Sequence, residues 1–328
     1  MRRLDGQLLV LAVMNLALLA IGALISGGTF LSLFNLQSMA IQVPEIGLLA
    51  IGVALAMCAG NGGIDLSGIS LANLAGVVSA IVVTSFLDPY DQPVMFTATF
   101  ALIAVVVGCL GGLVNGLLIS FVGITPILCT LGTQMAFTGL AVIVSGGRAV
   151  TVGSPDPLYN IGNGFIFAVP VGFIIFIAVA TVIGLAVRFT PYGKWLMLGG
   201  SNLKAATFAG FPKRAVITTT YMLSGLLAGI AGVIIAARNV NVKWDYGTSY
   251  LLIAILVAVM AGVRPQGGYG RIICVVLSAI ALQLMSSLLN FGGFSNFVRD
   301  FAWGALLLAF LIVGRHDLVS YLFPGGRR

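Results

Sequence analysis

From residue 7 to residue 313 the chain is a succession of apolar runs, most of them about twenty residues long, with almost no charge inside them. That is the length an α-helix needs to cross the hydrocarbon core of a bilayer. Ten such runs can be marked, at 7–26, 41–59, 69–87, 94–118, 124–145, 165–187, 215–237, 250–263, 272–289 and 297–313. The second and eighth are short or rich in glycine. Lipid offers no partner to a backbone N–H or C=O, so only helices and closed barrels span it, and runs of this length predict helices. The sequence therefore predicts an all-α integral membrane protein of about ten transmembrane helices.

Composition excludes the soluble alternative. Charged residues make up 8% of the chain, against roughly 25% in soluble domains. Hydrophobic residues reach 59% and the mean hydropathy is +1.12. A soluble fold of 328 residues could not hide that much apolar surface; lipid removes the need to. The 43 glycines and 11 prolines are no objection, since both are commoner in membrane helices than in soluble ones. The cysteines Cys58, Cys109, Cys129 and Cys274 lie inside apolar runs without metal-ligand spacing, and read as small buried hydrophobes. Arg2 and Arg3 before the first run resemble a signal peptide, but the run is long and lacks an A-x-A site, so it reads as an uncleaved anchor.

Ten crossings put both termini on one side, and basic residues choose the side. With the N-terminus cytoplasmic, Arg2, Arg3, Arg188, Lys194, Lys204, Lys213, Arg214, Arg264, Arg271, Arg315, Arg327 and Arg328 face inward, and Arg148, Arg238, Lys243 and Arg299 outward. Both termini are expected in the cytoplasm. The net charge of +7 then marks a face turned toward anionic lipid and partner proteins, not nucleic acid. The chain reads as one transmembrane domain, 1–328, whose longest loops lie near 146–164 outside and 188–214 inside.

No catalytic set and no metal or cofactor site is visible. The single histidine, His316, stands in the C-terminal tail between Arg315 and Asp317. There is no G-x-x-x-x-G-K-[ST] phosphate loop, so any ATP that drives this chain is hydrolysed by another polypeptide. Ionisable groups within the runs are nearly absent. Glu45, after Pro44, reads as a carboxylate at the outer start of the second helix, favoured by the helix dipole and within reach of water; a role at a pathway mouth is the rival. The runs do carry uncharged polar residues: Asn73, Asn115, Thr133, Gln134, Thr138, Ser224, Gln283, Ser286, Ser287 and Asn290. Amides and hydroxyls suit a polyhydroxylated solute, and equally serve to join helices. Asn73, Asn115, Thr133, Gln134 and Gln283 are the candidates for a translocation pathway. Gly108, Gly112 and Gly116 on the fourth run, and Gly225, Gly229 and Gly232 on the seventh, are expected to be packing faces.

The stretch 192–224 carries Lys194, Lys204, Lys213 and Arg214, a short Ala-rich section, and then Pro212 before the next run. Ser201 or Asn202 offers a cap for a short helix ending near Gly210. Such a helix suits docking onto a cytoplasmic partner; a solvated loop held by anionic lipid fits the spacing as well. The stretch resembles the ATPase-coupling loop of ribose-type ABC importer permeases, with their G-x-N-x-x-A-A-x-x-x-G-I pattern followed by a basic residue and Y-x-x-S-G. Gly200, Asn202, Ala205, Ala206, Gly210, Arg214, Tyr221, Ser224 and Gly225 match it, while Phe211 replaces the usual Ile. Two further blocks agree. The run from Gly62 to Ser67 reads GGIDLS, continuing as Gly68-Ile69-Ser70 where the family has V-G-S, and the run from Val263 to Gly270 resembles its G-G-x-G turn. Read from spacing alone, Asp65 is an N-cap for the third helix, with contact to an ATPase as the rival, and Gly267, Gly268 and Gly270 are a tight turn.

The resemblance implies an ABC importer permease fold in a bacterial inner membrane. It implies cytoplasmic ATP-binding subunits, a second permease copy or paralogue and a periplasmic substrate-binding protein as partners. It further implies alternating-access transport of a small polar solute, a monosaccharide first, with coupling through Gly200, Ser201, Asn202, Lys204, Ala205, Ala206, Gly210, Lys213 and Arg214. The rivals are an ion-coupled secondary transporter, which the shortage of intramembrane carboxylates opposes, and a membrane sensor or structural subunit without a solute path.

Overall fold

A computed structural model of the chain describes residues 6–315; His316 and the terminal arginines at 2, 3, 327 and 328 lie outside the described residues. The helices in chain order are α1 (Gly6–Ile25), α2 (Leu33–Cys58), α3 (Gly68–Thr84), α4 (Pro93–Leu117), α5 (Pro126–Ser145), α6 (Asp156–Asn163), α7 (Val171–Phe189), α8 (Pro191–Ser201), α9 (Leu203–Phe208), α10 (Lys213–Asn239), α11 (Tyr250–Met260), α12 (Ile272–Phe291) and α13 (Asn296–Arg315). Each apolar run has its helix, and α6, α8 and α9 are short additions within the two longest loops. Among the described residues seven helices are long and apolar enough to cross a membrane: α1, α2, α4, α5, α7, α10 and α12. The apolar helices α3 and α11, with 17 and 11 residues, are shorter. Each follows a non-helical segment: 59–67 is mostly buried or half-buried, whereas 240–249 is half-buried with Asn241, Lys243, Thr248 and Ser249 exposed. Irregular backbone is tolerated at depth only when protein covers it, as over 59–67.

Several boundaries differ from the sequence expectation, each for a local reason. The second helix starts at Leu33, not 41, because Ser32 caps it by accepting from the Asn35 N–H at 3.3 Å. Pro44 is consequently internal to α2. The sixth run does not begin its helix at 165: Phe165–Ile166 and Val169–Pro170 pair as a small antiparallel hairpin, and α7 starts after Pro170. A second two-residue pair joins Val150–Thr151 to Asn241–Val242. Beyond α4 the chain makes a π-helical turn, Leu118–Val122, closed by Gly123 at φ 84°.

Helices α2 and α10 form the centre. In the most apolar stretch of each, 83% and 78% of residues are buried, against 17–22% for α1, α5 and α7. Those outer helices expose large apolar side chains, which lipid accepts and water would not. The α4–α10 seam is the most extensive helix pairing among the described residues. A Cβ on Gly108 would meet the Gly225 carbonyl, and one on Gly112 would meet the Tyr221 carbonyl. One on Gly116 would lie 2.7 Å from Thr218 Cα. The packing role expected of these glycines is therefore what the structure shows. Gly232 instead lies against the Ala72 carbonyl of α3.

The loops divide between two ends of the bundle. At one end the segments 59–67, 190–212 and 261–271 meet, near Arg188, Lys194, Lys204, Lys213, Arg214, Arg264 and Arg271; the Gln7 side chain of α1 donates to the Met260 carbonyl there (2.7 Å). At the other end lie the 146–170 and 240–249 loops, with Arg148, Arg238 and Lys243.

Candidate functional site

Three glycine-rich blocks, far apart in sequence, converge at the basic end. Gly60 (φ 78°) stands against Gly200, where an added Cβ would fall 2.8 Å from the Gly200 Cα. Gly267 (φ 95°) stands against Gly60, and a Cβ on Gly200 would strike the Cys58 carbonyl and the Gly268 nitrogen. The Gly268 N–H donates to the Cys58 carbonyl at 3.1 Å. Backbone touches backbone, which only residues lacking a Cβ permit. The turn expected at Gly267, Gly268 and Gly270 is present, and it is half of a joint whose other half is the 190–212 segment.

That segment is built as two short helices. Helix α8 is held to α10 by Tyr192, whose hydroxyl pairs with that of Thr220 at 2.9 Å. Burial pushes the Tyr192 phenol up to about 12, so it stays neutral at any physiological pH. Ser201 closes α8, its hydroxyl donating to the Leu198 carbonyl at 3.0 Å. Asn202 caps α9, its Oδ1 accepting from the Ala205 N–H at 3.0 Å. Gly210 ends the turn at φ 83°. Of the coupling candidates Ala206 alone is buried; Ser201, Asn202, Lys204, Ala205, Gly210, Lys213 and Arg214 are exposed, and Gly200 is half-buried in the joint. The Arg214 guanidinium lies 4.9 Å from the centre of the Phe121 ring. Sequence reasoning missed Phe208, at the end of α9 and 94% exposed. Its signal was available: a large apolar side chain on a short helix between basic residues. Beside the segment opens a cleft of about 230 Å³, walled among others by Gly60, Gly200, Phe211, Lys213, Tyr221 and Gln266.

Above the joint lies a buried polar network. Asp65, 2% exposed, does not cap α3 and does not reach the surface where a partner could touch it. Its Oδ1 accepts from the Ser67 N–H (2.9 Å) and hydroxyl (2.7 Å), and its Oδ2 from the Ser224 hydroxyl (2.6 Å). Asn115 Nδ2 donates to the Ser67 hydroxyl at 2.8 Å, while Asn115 Oδ1 and the Tyr221 hydroxyl are buried without partners. The Thr130 hydroxyl donates to the Ile64 carbonyl at 3.0 Å.

A second charged centre sits toward the opposite end. Glu45 lies in the middle of α2 and is fully buried, so the expected place at a helix start in contact with water is corrected. Because α2 begins twelve residues earlier, no N-terminal dipole serves it. Arg238 of α10 does, at 2.9 Å, and the hydroxyls of Tyr246 and Tyr250 donate to its other oxygen at 3.1 and 3.2 Å. Burial, and next the negative charge of Glu45, raise the Tyr246 phenol above its ordinary range.

The remaining pathway candidates are dispersed. Asn73 donates to the Trp244 and Tyr246 carbonyls (3.1 and 2.9 Å) and so holds the 240–249 segment. Thr133 donates within its own helix at 3.3 Å. Gln134 is half-buried on α5 with its Oε1 unpartnered, and Gln283 is buried on α12. None of the five candidates is among the walls of the cleft.

Residues 35–312 match the family model described as the permease component of branched-chain amino acid transport systems. The chain is 31% identical to the galactofuranose transporter permease protein YtfT of Escherichia coli over 283 residues, 86% of this chain and 80% of that one. It is 29% identical to the ribose import permease protein RbsC of Bacillus subtilis over 307 residues, 92% of this chain and 91% of that one. It is 30% identical to the L-arabinose transport system permease protein AraH of Escherichia coli over 315 residues, 95% of this chain and 90% of that one. No solved structure matches. The match over nearly all of the described bundle, and relatives aligned along most of their own length, make the chain a member of this family of transport permeases, the multi-pass subunits of ABC importers in the inner membrane.

Proposed function

We propose that this subunit conducts a monosaccharide inward by alternating access, with ten helices crossing the membrane and the 190–212 segment in the cytoplasm. The observation that carries the reading is the joint at the basic end. An exposed short helix, bearing Lys204 and Phe208, follows directly on Gly200, whose backbone meets two loops of the transmembrane bundle. Its partners are cytoplasmic ATP-binding subunits at α9, a second permease copy or paralogue, and an exported substrate-binding protein at the opposite end. Positive residues gather at the joint, as the cytoplasmic face of a membrane protein requires. The two buried carboxylates, Glu45 and Asp65, are bonded within the protein, which leaves little for an ion-coupled mechanism.

The test is reconstitution of the permease with its ATPase and binding protein in liposomes. Labelled ribose, arabinose and galactose are offered outside, with ATP inside. Accumulation of at least one sugar, dependent on enclosed ATP and on the binding protein, is expected. Uptake by the permease alone under a proton or sodium gradient would establish the secondary-transporter reading instead.

A further inference from the structure

We infer that Asp65 is a positioning residue through which movement of the 190–212 segment enters the membrane helices; the inference rests on the coupling role proposed for that segment. The first observation is the joint itself. Gly60, Gly200 and Gly267 meet through backbone atoms, with no side-chain rotamers between them to absorb a displacement. When Gly200 moves, Gly60 must follow. The chain between Gly60 and Asp65 is tight: the Gly63 N–H donates to the Gly60 carbonyl at 2.9 Å, and a Cβ on Gly63 would strike the Ala56 carbonyl.

The second observation is what Asp65 holds. Its carboxylate joins the loop at Ser67 to α10 at Ser224, and Ser67 in turn receives Asn115 from α4. These are the two helices of the glycine seam, and Ser224 also lies against α2, where a Cβ on Gly52 would come 2.6 Å from its hydroxyl. Among the described residues the ion pairs are Glu45–Arg238 and Lys243–Asp245, so Asp65 is held by hydrogen bonds alone. A buried carboxylate held this way is sensitive to small changes in donor position.

The third observation supplies a second arrangement. The Tyr221 hydroxyl and Asn115 Oδ1 are a buried donor and a buried acceptor, both unpaired, on the same two helices. Tyr221 packs with Ile119 and Cys129, and the Cys129 thiol lies 3.9 Å from the Asn115 carbonyl. Buried polar atoms rarely stay orphaned without a reason. Here the reason is a network with two states. In the one observed, Ser224 and Asn115 serve the loop; in the other, Tyr221 donates into the network as the loop shifts with Gly60.

The experiment uses the whole transporter in liposomes, with whichever of ribose, arabinose or galactose the unaltered protein accumulates. Tyr221→Phe, Ser224→Ala and Asp65→Asn are compared for sugar carried per ATP hydrolysed and for melting temperature. Tyr221→Phe decides most, because removing an orphaned hydroxyl leaves a merely structural network as stable as before or more so. The expected result is a fall of about tenfold in sugar per ATP, the scale of one hydrogen bond to a charged group, with an unchanged or higher melting temperature. Normal coupling in Tyr221→Phe, or coupling losses in Ser224→Ala and Asp65→Asn that merely track lower melting temperatures, overturns the inference. A cysteine at Lys204 is crosslinked to the ATPase in parallel. If that crosslink fails in a transporter otherwise unchanged, the coupling role fails and the inference with it; a crosslink that forms while Tyr221→Phe couples normally overturns the assignment of Asp65 alone.

Discussion

Glu45 is fully buried and Arg238 keeps 26% of its side chain exposed, so the two ends of this ion pair respond differently to loss of the other. Glu45→Gln leaves a half-buried guanidinium without its counter-charge. A loss of about 3 kcal/mol is expected, the low end of the range for breaking a buried pair because Arg238 retains some access to solvent. Thermal unfolding in detergent measures it, and the doubly substituted Glu45→Gln/Arg238→Met should recover much of the loss. Gln134 presents the opposite case. Its Oε1 is buried without a partner on a helix whose other faces meet lipid, so Gln134→Leu should leave the melting temperature equal or higher. If Gln134 serves the solute path, uptake nonetheless falls severalfold, matching one lost hydrogen bond of about 0.5–1.5 kcal/mol. Uptake and melting measured on one preparation separate the two roles.

Among the elements, α4 and α10 test how far small residues set the helix packing. Gly112→Ala drives a methyl into the Tyr221 carbonyl, and backbone cannot give way as a side chain does. A destabilisation of about 1–3 kcal/mol is expected, as for an overpacked core. Gly132→Ala on α5, with open space at its Cβ, should be neutral. Equal melting temperatures for the two variants would mean that the seam is not rigid. The seam was legible from G-x-x-x-G spacing, and the helices themselves from their apolar length. Their irregular ends were not. Period and length cannot show that 59–67 packs against the 190–212 and 261–271 loops, because that depends on which loops meet in space. The same limit hid the Glu45–Arg238 pair, whose members are 193 residues apart, and led Asp65 to be read as a cap rather than as a buried node. The candidates for coupling were legible as a motif, and Phe208 as a large apolar side chain between basic residues; its near-complete exposure was not.

At the scale of the whole molecule the two ends of the bundle carry different chemistry, and that difference decides orientation. The joint end gathers Arg188, Lys194, Lys204, Lys213, Arg214, Arg264 and Arg271, while the opposite end shows the uncharged hairpin with Phe167, 98% exposed, and the 240–249 segment. A membrane protein retains its Lys and Arg on the cytoplasmic side because moving them across the bilayer is costly. If that rule governs this chain, single cysteines at Lys204 and Phe208, placed in a background lacking the native cysteines, react with a membrane-impermeant maleimide only after the cell is opened. Cysteines at Phe167 and Lys243 react in intact spheroplasts. The pattern tests the crossing number as well, because α3 and α11 are short. Were α11 not to cross, Lys243 and Arg264 would share a side, and cysteines at both positions would label together. Separate labelling of those two positions requires the eleven residues of α11, with the half-buried segment before them, to complete a full passage through the membrane.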